Sequence, residues 1–290
     1  MQKAQGWNLP RETVFATLAT ESNDRRGTNV MALIDTTEIR QFTCLNDNYG
    51  VLIHDRKSGT TIAIDVPDAD AYSNVLKETG WSLSHILITH HHWDHVQGLG
   101  ALKTQTGATV IGPERSRQQI SELEQTVEDG DDVMCGPYEI KAVATPGHTL
   151  DQISWFIPSI KMAHTGDTLF SLGCGRVFEG DMEMMWSSLE KLAHHLPDDT
   201  EIYCGHEYTE SNAAFALTIE PDNEALQARA KEVAALRAAG KPALPTTMAQ
   251  EKATNPFLRA AAPSVADSLG MRGAGAAEVF AEIRTRKDNA

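Results

Sequence analysis

Short apolar runs alternate with helix-forming stretches from about residue 31 to residue 205, and this alternation predicts an α/β domain. The run 31–53 predicts a strand, a loop and a second strand. A helix is expected to begin after Asp181, a good N-cap residue, and to end before Pro197. The individual strands are predicted at residues 51–53, 61–65, 85–89, 109–111, 139–144, 153–157, 162–165 and 201–204.

The pattern changes after residue 208, where Ala, Leu, Glu and Arg dominate and no further strands are expected. Apolar residues at helical spacing, such as Leu226 and Val233, predict a helix over 224–239, and Gly240 supplies a stop signal. A second helix is predicted over 276–286. The chain therefore reads as an α/β domain followed by a small helical domain.

These patterns divide the chain into three parts. Residues 1–30 are polar, and we expect an irregular, dispensable extension because Met31 is placed like a natural start. The extension has no apolar segment typical of a signal peptide, and its acidic residues fit a mitochondrial presequence poorly. Residues 31–207 form the predicted catalytic domain, and residues 208–290 form the predicted helical domain.

Charge and cysteine usage narrow the class of protein. The 290 residues include 25 basic and 40 acidic side chains, which gives a net charge of −15. This charge repels nucleic acid and anionic membranes, so neither is an expected partner. The one basic grouping, around Arg284 and Lys287, is expected to decorate a solvated helix end. The four cysteines are far apart, which suits a reducing cytoplasm, and we expect a monomer there.

The strongest chemical signal follows the predicted strand 85–89. His90, His92, Asp94 and His95 lie where that strand must bend, and imidazole and carboxylate groups are ligands of zinc and similar divalent metals. The alternative is a solvent-exposed, histidine-rich loop without a metal. The position directly after an apolar strand favours the metal site.

Three later motifs also place a ligand type at a strand end. His148 follows the Pro-Gly bend in A-T-P-G-H-T, Asp167 follows Gly166 in H-T-G-D-T, and His206 stands in Y-C-G-H-E-Y. Each motif is weak by itself. Because the ends of α/β strands commonly carry the functional site, the three together predict a shared cluster.

These motifs resemble the metallo-β-lactamase superfamily, and within it glyoxalase II, the hydroxyacylglutathione hydrolases. The resemblance rests on the segments T-H-x-H-x-D-H, T-P-G-H-T, T-G-D-T-L-F and C-G-H-E-Y-T. Residues 47–49, 173–180 and 255–259 are also similar to the family. The resemblance implies an αββα sandwich with a smaller C-terminal helical domain. The segments 173–180 and 255–259 specifically point to the glutathione thioesterases.

The resemblance also implies a site for two divalent metal ions. Zinc is expected, although histidine and aspartate ligands also accept iron or manganese. Asp94 and Asp167 would be the catalytic carboxylates, with Asp167 bridging both metals. The implied ligands are His90, His92 and His148 for the first metal, Asp94, His95 and His206 for the second, and Asp167 for both.

The implied reaction is hydrolysis of S-(2-hydroxyacyl)glutathione, such as S-D-lactoylglutathione, to glutathione and D-lactate in methylglyoxal detoxification. By resemblance, Arg176 and Arg259 would contact the glycine carboxylate of the substrate, and Tyr208 would hydrogen-bond the tripeptide. Phe178 stands where some relatives have tyrosine. A second interpretation places Arg259 as a charge packed at the domain joint.

Other functions compete with this one. Iron-dependent persulfide dioxygenases and other hydrolases of the same fold share the metal motif, but the segment 255–259 and the helical C-terminus argue against the dioxygenases. Flavodiiron oxygen reductases usually carry a carboxylate where His92 stands. A non-catalytic metal protein would be expected to lack a ligand, and all seven are present.

Overall fold

The computed structural model of the protein describes residues 33–290, so the predicted extension 1–30 lies outside the described residues. The first of two large sheets has the order β1-β2-β3-β4-β5-β6. Its first three strands are antiparallel, and β3 to β6 are parallel. The strands are β1 (Thr37–Cys44), β2 (Asn48–Asp55), β3 (Thr61–Ile64), β4 (His85–Leu87), β5 (Thr109–Pro113) and β6 (Gln125–Val127).

The second large sheet has the order β14-β13-β10-β9-β8-β7, and β11 and β12 form a separate hairpin. Within this sheet β10 and β13 are parallel, and the other neighbours are antiparallel. The strands are β7 (Asp132–Cys135), β8 (Tyr138–Ala144), β9 (Ile153–Ile157), β10 (Met162–His164), β11 (Leu169–Phe170), β12 (Gly173–Cys174), β13 (Glu201–Tyr203) and β14 (Thr246–Thr247).

Helices cover the outer faces of both sheets. Three of the longer ones begin at side-chain caps: Asp68 caps α1, Asp181 caps α4 and Asn223 caps α6. In chain order the helices are α1 (Ala69–Thr79), α2 (Trp93–Val96), α3 (Leu99–Thr106), α4 (Met182–His195), α5 (Thr209–Ile219), α6 (Glu224–Ala238), α7 (Met248–Thr254), α8 (Pro263–Ser268) and α9 (Ala276–Asp288). No helix within residues 33–290 is both long and apolar enough to span a membrane.

The inner strands β2, β3, β9 and β10 are buried on two faces, which explains their nearly continuous apolar sequences. Val51 and Ile53 face the other sheet and pack with Trp155, whereas Leu52 between them packs with α1 and α3 on the outside. The outer face of the second sheet packs against α4 and the C-terminal helices, where Phe257 is fully buried. The architecture is the expected αββα sandwich with C-terminal helices.

The predicted strands and helices are present, with ends shifted by a few residues, but two expectations are wrong. The C-terminal segment contributes a short strand, β14, which completes the edge of the second sheet by pairing with β13. Arg284 does not decorate a solvated helix end. It is 3% exposed and donates to the carbonyl of Cys174 at 3.0 Å, because α9 packs onto the second sheet through its apolar face.

The β11–β12 hairpin is held by buried polar side chains of the C-terminal segment. Asn255 Nδ2 donates to the carbonyls of Phe170 and Gly173 at 3.1 and 3.0 Å. Glu251 accepts hydrogen bonds from the Leu172 amide at 2.8 Å and from the hairpin's serine hydroxyl at 3.0 Å. The C-terminal segment binds this hairpin through four side chains, Asn212, Glu251, Asn255 and Arg284. The helical segment therefore supports the chain that directly follows Asp167.

Candidate metal centre and substrate pocket

The predicted metal ligands lie where strands of both sheets end. The first motif begins at His90 after β4, whereas His148, Asp167 and His206 follow β8, β10 and β13. Both β8 and β10 are antiparallel to β9, and β13 is parallel to β10, so these three strands end at one edge of the second sheet. A bridge between Asn48 and His206 joins the two sheets at this edge.

His90, His92 and His148 form the first ligand group, with one nitrogen of each ring within 4.8 Å of the others. His148 Nε2 lies 3.0 Å from His92 Nδ1. Outer partners orient two of the rings: His148 Nδ1 is 2.8 Å from the Arg176 carbonyl, and His90 Nδ1 is 2.9 Å from Thr89 Oγ1. These contacts turn Nε2 of both rings towards the other members of the ligand group.

Asp94, His95 and His206 form the second group. Asp94 Oδ2 lies 3.6 Å from His95 Nε2 and 3.3 Å from His206 Nε2. Asn48 Nδ2 donates to Asp94 Oδ2 at 3.0 Å, and His206 Nδ1 lies 2.9 Å from Asp47 Oδ1. The turn between β1 and β2 therefore orients a carboxylate and an imidazole of this group.

Asp167 lies between the two groups. Its Oδ2 is 3.5 Å from His148 Nε2 and 3.2 Å from His206 Nε2, and its Oδ1 is 3.5 Å from His95 Nε2. Gly205 makes this approach possible, because a Cβ there would collide with Asp167 Oδ1 and lie 2.6 Å from His95 Cε1. All seven predicted ligands therefore converge on one centre.

The donor atoms of this centre fit a divalent metal. His90 Nε2, His95 Nε2 and Asp167 Oδ1 are buried and have no hydrogen-bond partner. Buried polar atoms without partners are costly, and three of them facing a histidine and aspartate cluster fit a site that binds a cation. Imidazole nitrogens and carboxylate oxygens are the ligand types that zinc, iron and manganese accept.

The electrostatics of the two groups differ. Burial lowers the pKa of His90 and His148, and neighbouring imidazoles lower it further, so both rings are neutral. Burial opposes charge on His206 too, but Asp167 and Asp94 outweigh it and raise the pKa of that ring to about 10. The carboxylates thus draw positive charge into the second group, where a metal must displace protons.

Asp65 is a functional residue that the sequence analysis missed. Its Oδ1 accepts from the Thr89 amide at 2.7 Å, and its Oδ2 lies 2.8 Å from both Thr89 Oγ1 and His95 Nδ1. It therefore orients a histidine of each group, one directly and one through Thr89. The sequence feature that could have identified Asp65 is its position at the end of the predicted strand 61–65, at the edge where β4 also ends.

Three of the predicted substrate contacts surround the metal centre. The Phe178 ring is 61% exposed and lies 5.3 Å from the His148 ring, whereas the Tyr208 ring stacks on His206 at 4.8 Å. The Arg176 guanidinium is 67% exposed, and its ion-pair partner among the described residues, Asp288, lies 3.9 Å away. Phe178 and Tyr208 thus flank opposite ligand groups, with a cation nearby.

The fourth, Arg259, is engaged with the protein itself. Its Nε and Nη2 donate to the two carboxylate oxygens of Glu220 at 2.8 and 3.0 Å. The Arg259 side chain is 25% exposed and Glu220 is buried. Its role in recognition stays a prediction, beside the interpretation of a packed charge at the domain joint.

Two side chains outside the ligand groups, His54 and Cys174, have structural roles. His54 is a satisfied core histidine, with Nδ1 2.9 Å from Thr61 Oγ1 and its ring stacked on Trp81 at 4.4 Å. Cys174 is a buried packing residue, and burial raises the pKa of its thiol to about 11. A thiol of this kind is a poor nucleophile at neutral pH.

Two family models match the chain in succession. The model described as "Metallo-beta-lactamase superfamily" matches residues 64–206, and the model described as "Hydroxyacylglutathione hydrolase C-terminus" matches residues 207–290. The two matches meet just after His206, the last of the predicted metal ligands.

Named relatives extend this result. The chain is 53% identical over 251 residues to the hydroxyacylglutathione hydrolase of Brucella anthropi, covering 87% of this chain and 96% of the relative. It is equally similar to that of Brucella ovis, with 97% of the relative covered. Among solved structures, ETHE1 from Myxococcus xanthus is 28% identical with a TM-score of 0.63, covering 86% of this chain and 90% of that one.

Proposed function

The chain belongs to the hydroxyacylglutathione hydrolase family, a family of thioester hydrolases, and on this premise we propose how its own residues perform the reaction. The substrate is an S-(2-hydroxyacyl)glutathione, exemplified by S-D-lactoylglutathione, and the products are glutathione and a 2-hydroxy acid such as D-lactate. The observation that carries the proposal is the convergence of seven ligand side chains, three of which hold buried atoms without partners.

Two divalent ions, with zinc as the first choice, fit the two ligand groups. His90, His92 and His148 would hold one, and Asp94, His95 and His206 the other. Asp167 contacts members of both groups and would bridge the ions. When bound, such ions lower the pKa of water towards 7 and stabilise the negative charge that develops on an attacked carbonyl.

Asp94 is the ligand best placed to handle a proton. Its side chain is 41% exposed, whereas that of Asp167 is buried, so Asp94 alone of the two carboxylates reaches the open side of the centre. Asn48 fixes Asp94 Oδ2 by its hydrogen bond at 3.0 Å. We propose that Asp94 orients the attacking water through this fixed carboxylate. The glutathione thiolate is a stable leaving group and needs little acid assistance.

Recognition of glutathione requires cations in an acidic protein. Arg176 is exposed beside the metal centre, and Asp288 lies close to both Arg176 and Arg284. Burial lowers the pKa of the nearby Lys287, and the positive charges of Arg284 and Arg176 lower it further. Within residues 33–290 these three cations have one ion-pair partner, Asp288, which supports carboxylate binding at the end of α9. Tyr208 and Phe178 would then line the approach to the metals.

We further propose a cytoplasmic, monomeric enzyme that binds neither nucleic acid nor membrane. All four cysteines are buried and free, which suits a reducing compartment. The net charge of −15 opposes contact with polyanions. Gel filtration with light scattering tests the monomer, and a mass near twice 31.7 kDa would contradict it.

The decisive experiment measures thiol release from S-D-lactoylglutathione together with the metal content of the same sample. We expect hydrolysis that a strong chelator abolishes and divalent metal restores. Full activity in a verified metal-free preparation would overturn the proposal. The persulfide dioxygenase alternative instead requires about one iron per chain and oxygen uptake with a persulfide, which an oxygen electrode detects.

A further inference from the structure

A third group of metal-ligand side chains lies beside the centre already described. It consists of His91, Asp151 and Glu179, and one donor atom of each lies within 4.8 Å of the others. None of the three belongs to the seven proposed ligands. They come from three different loops, the one after β4, the one after β8 and the one before α4.

The donor spacing in this group matches that of the catalytic centre. His91 Nδ1 lies 3.0 Å from Asp151 Oδ2, and His91 Nε2 lies 3.4 Å from Glu179 Oε1. His95 shows the same arrangement, with Asp65 at 2.8 Å on Nδ1 and Asp167 at 3.5 Å on Nε2. A carboxylate on the second ring nitrogen of a metal-ligating histidine is common at protein metal sites, so Asp151 can orient His91 through Oδ2 and leave Oδ1 for an ion.

The group also lacks positive charge. Asp151 is 5% exposed, and its Oδ1 is buried without a hydrogen-bond partner. Its Oδ2 is shared by the Ser116 hydroxyl and His91. Within residues 33–290, neither Asp151 nor Glu179 forms an ion pair with a lysine or arginine. A buried carboxylate without a cationic partner is unfavourable, so this pocket attracts a cation.

We propose that His91, Asp151 and Glu179 form a third divalent-cation site for a borderline ion such as Zn²⁺. The mixed imidazole and carboxylate donors favour this class over Mg²⁺ or Ca²⁺, which take oxygen ligands. The site is weaker than the catalytic centre because Glu179 is exposed and no carboxylate bridges to a second ion. An ion there would join the loops that carry His92, His148 and Phe178.

The test is equilibrium dialysis of the full-length protein against Zn²⁺, with metal content measured by mass spectrometry. We expect two tightly bound ions and a third that binds at higher free zinc. Glu179→Gln and Asp151→Asn should each retain the two tight ions. Each should weaken the third by at least about 10- to 100-fold, the loss found even for residues that only orient a metal ligand.

Glu190→Gln is the matched control, because this exposed glutamate on α4 lies outside the group. It should bind zinc as the unaltered protein does, which separates the site from general attraction of Zn²⁺ to an acidic surface. Saturation of the unaltered protein at two ions would overturn the proposal and leave the catalytic assignment intact, with His91 as a hydrogen-bonded link. A third ion that persists in both variants would overturn it too. Loss of the tight ions from the unaltered protein would instead count against the proposed function.

Discussion

The metal centre and the surrounding substrate pocket are built differently. In the metal centre, His90, His95 and Asp167 are buried, and outer partners such as Asp65 orient the histidine rings. In the pocket, Phe178 and Arg176 are mostly exposed and make few contacts with other side chains. The side chains of the centre are therefore held in place by the protein, whereas those of the pocket have few partners until a substrate binds.

The two regions should therefore differ in how much free energy is lost in ordering their side chains when a ligand binds. A preorganised centre spends little free energy on ordering its side chains when a ligand arrives. An exposed arginine must lose side-chain entropy and water before it binds a carboxylate. Substitutions in the centre should therefore affect metal content and kcat, and substitutions in the pocket should affect mainly KM.

The largest effect is expected from Asp167→Asn. Asp167 contacts members of both ligand groups, so the loss of its charge weakens both metal sites at once. Metal affinity should fall by at least about 100-fold, and hydrolysis should fall with it. Metal analysis and thiol release measure the two losses, with the exposed Asp222→Asn as the control. Retention of two ions and a near-normal rate would remove Asp167 from the site.

The next effect is expected from Asp65→Asn, which keeps the shape of the side chain but removes its charge. Asp65 touches His95 Nδ1 and Thr89 but not the open side of the centre. We expect metal affinity to fall about 10- to 100-fold while KM at saturating metal changes little. A large change of KM in the fully metal-loaded variant would contradict the orienting role.

Arg176→Ala tests the pocket. A charge-assisted hydrogen bond is worth about 1.5–3 kcal/mol, so its loss should raise KM roughly ten- to a hundredfold. If the contact is equal in the ground and transition states, kcat and metal content should stay unchanged. The exposed Arg115→Ala is the control. An equal loss with a small thioester that lacks the glycine carboxylate would show that Arg176 does not recognise it.

Arg259→Ala should separate the two interpretations of that residue. Removal leaves the buried Glu220 without its charged partner, so we expect a loss of about 1–3 kcal/mol in unfolding free energy and a Tm lower by several degrees. Arg259→Lys keeps the charge but not the paired geometry. An increase in KM confined to the glutathione substrate, without a change in Tm, would instead favour recognition.

The smallest effect is expected from Phe178→Tyr. The ring already lies beside the first ligand group, so the substitution adds only a hydroxyl at an exposed position. One neutral hydrogen bond to the substrate is worth about 0.5–1.5 kcal/mol, which would lower KM roughly two- to tenfold. Steady-state kinetics of the unaltered protein and of Phe178→Tyr measure this change in KM. An unchanged KM would show that the hydroxyl does not reach the substrate.

The ligand set was predicted from motifs that follow predicted strands, together with the resemblance of those motifs to a known family. Four of the seven ligands lie within His90–His95, directly after a strand, and the other three follow strands that end at one edge. Asp65 could not be recognised in the same way. It is one aspartate at a strand end, and its partners, Thr89 and His95, lie 24 and 30 positions further along the chain.

The C-terminal segment shows the same limit. Residue spacing and stop signals predict helices α6 and α9. Whether Arg284 is buried, however, depends on which face of α9 packs against the sheet. Its charge pattern is that of a solvated helix end, yet 110 positions separate it from the Cys174 carbonyl that it binds. Packing between distant segments, which the pattern of residues does not encode locally, decides such cases.

The hairpin after Asp167 constrains how this protein can evolve. The hairpin lies within residues 64–206 and its buried partners, Glu251 and Asn255 among them, lie within 207–290, so each matched family segment supplies half of one hydrogen-bond network. A recombination event that exchanged only the C-terminal segment would leave the buried amides and carbonyls of the hairpin without partners, unless the new segment supplied a carboxylate and an amide at the same places. Exchange of one segment alone is therefore expected to destabilise the chain that follows Asp167.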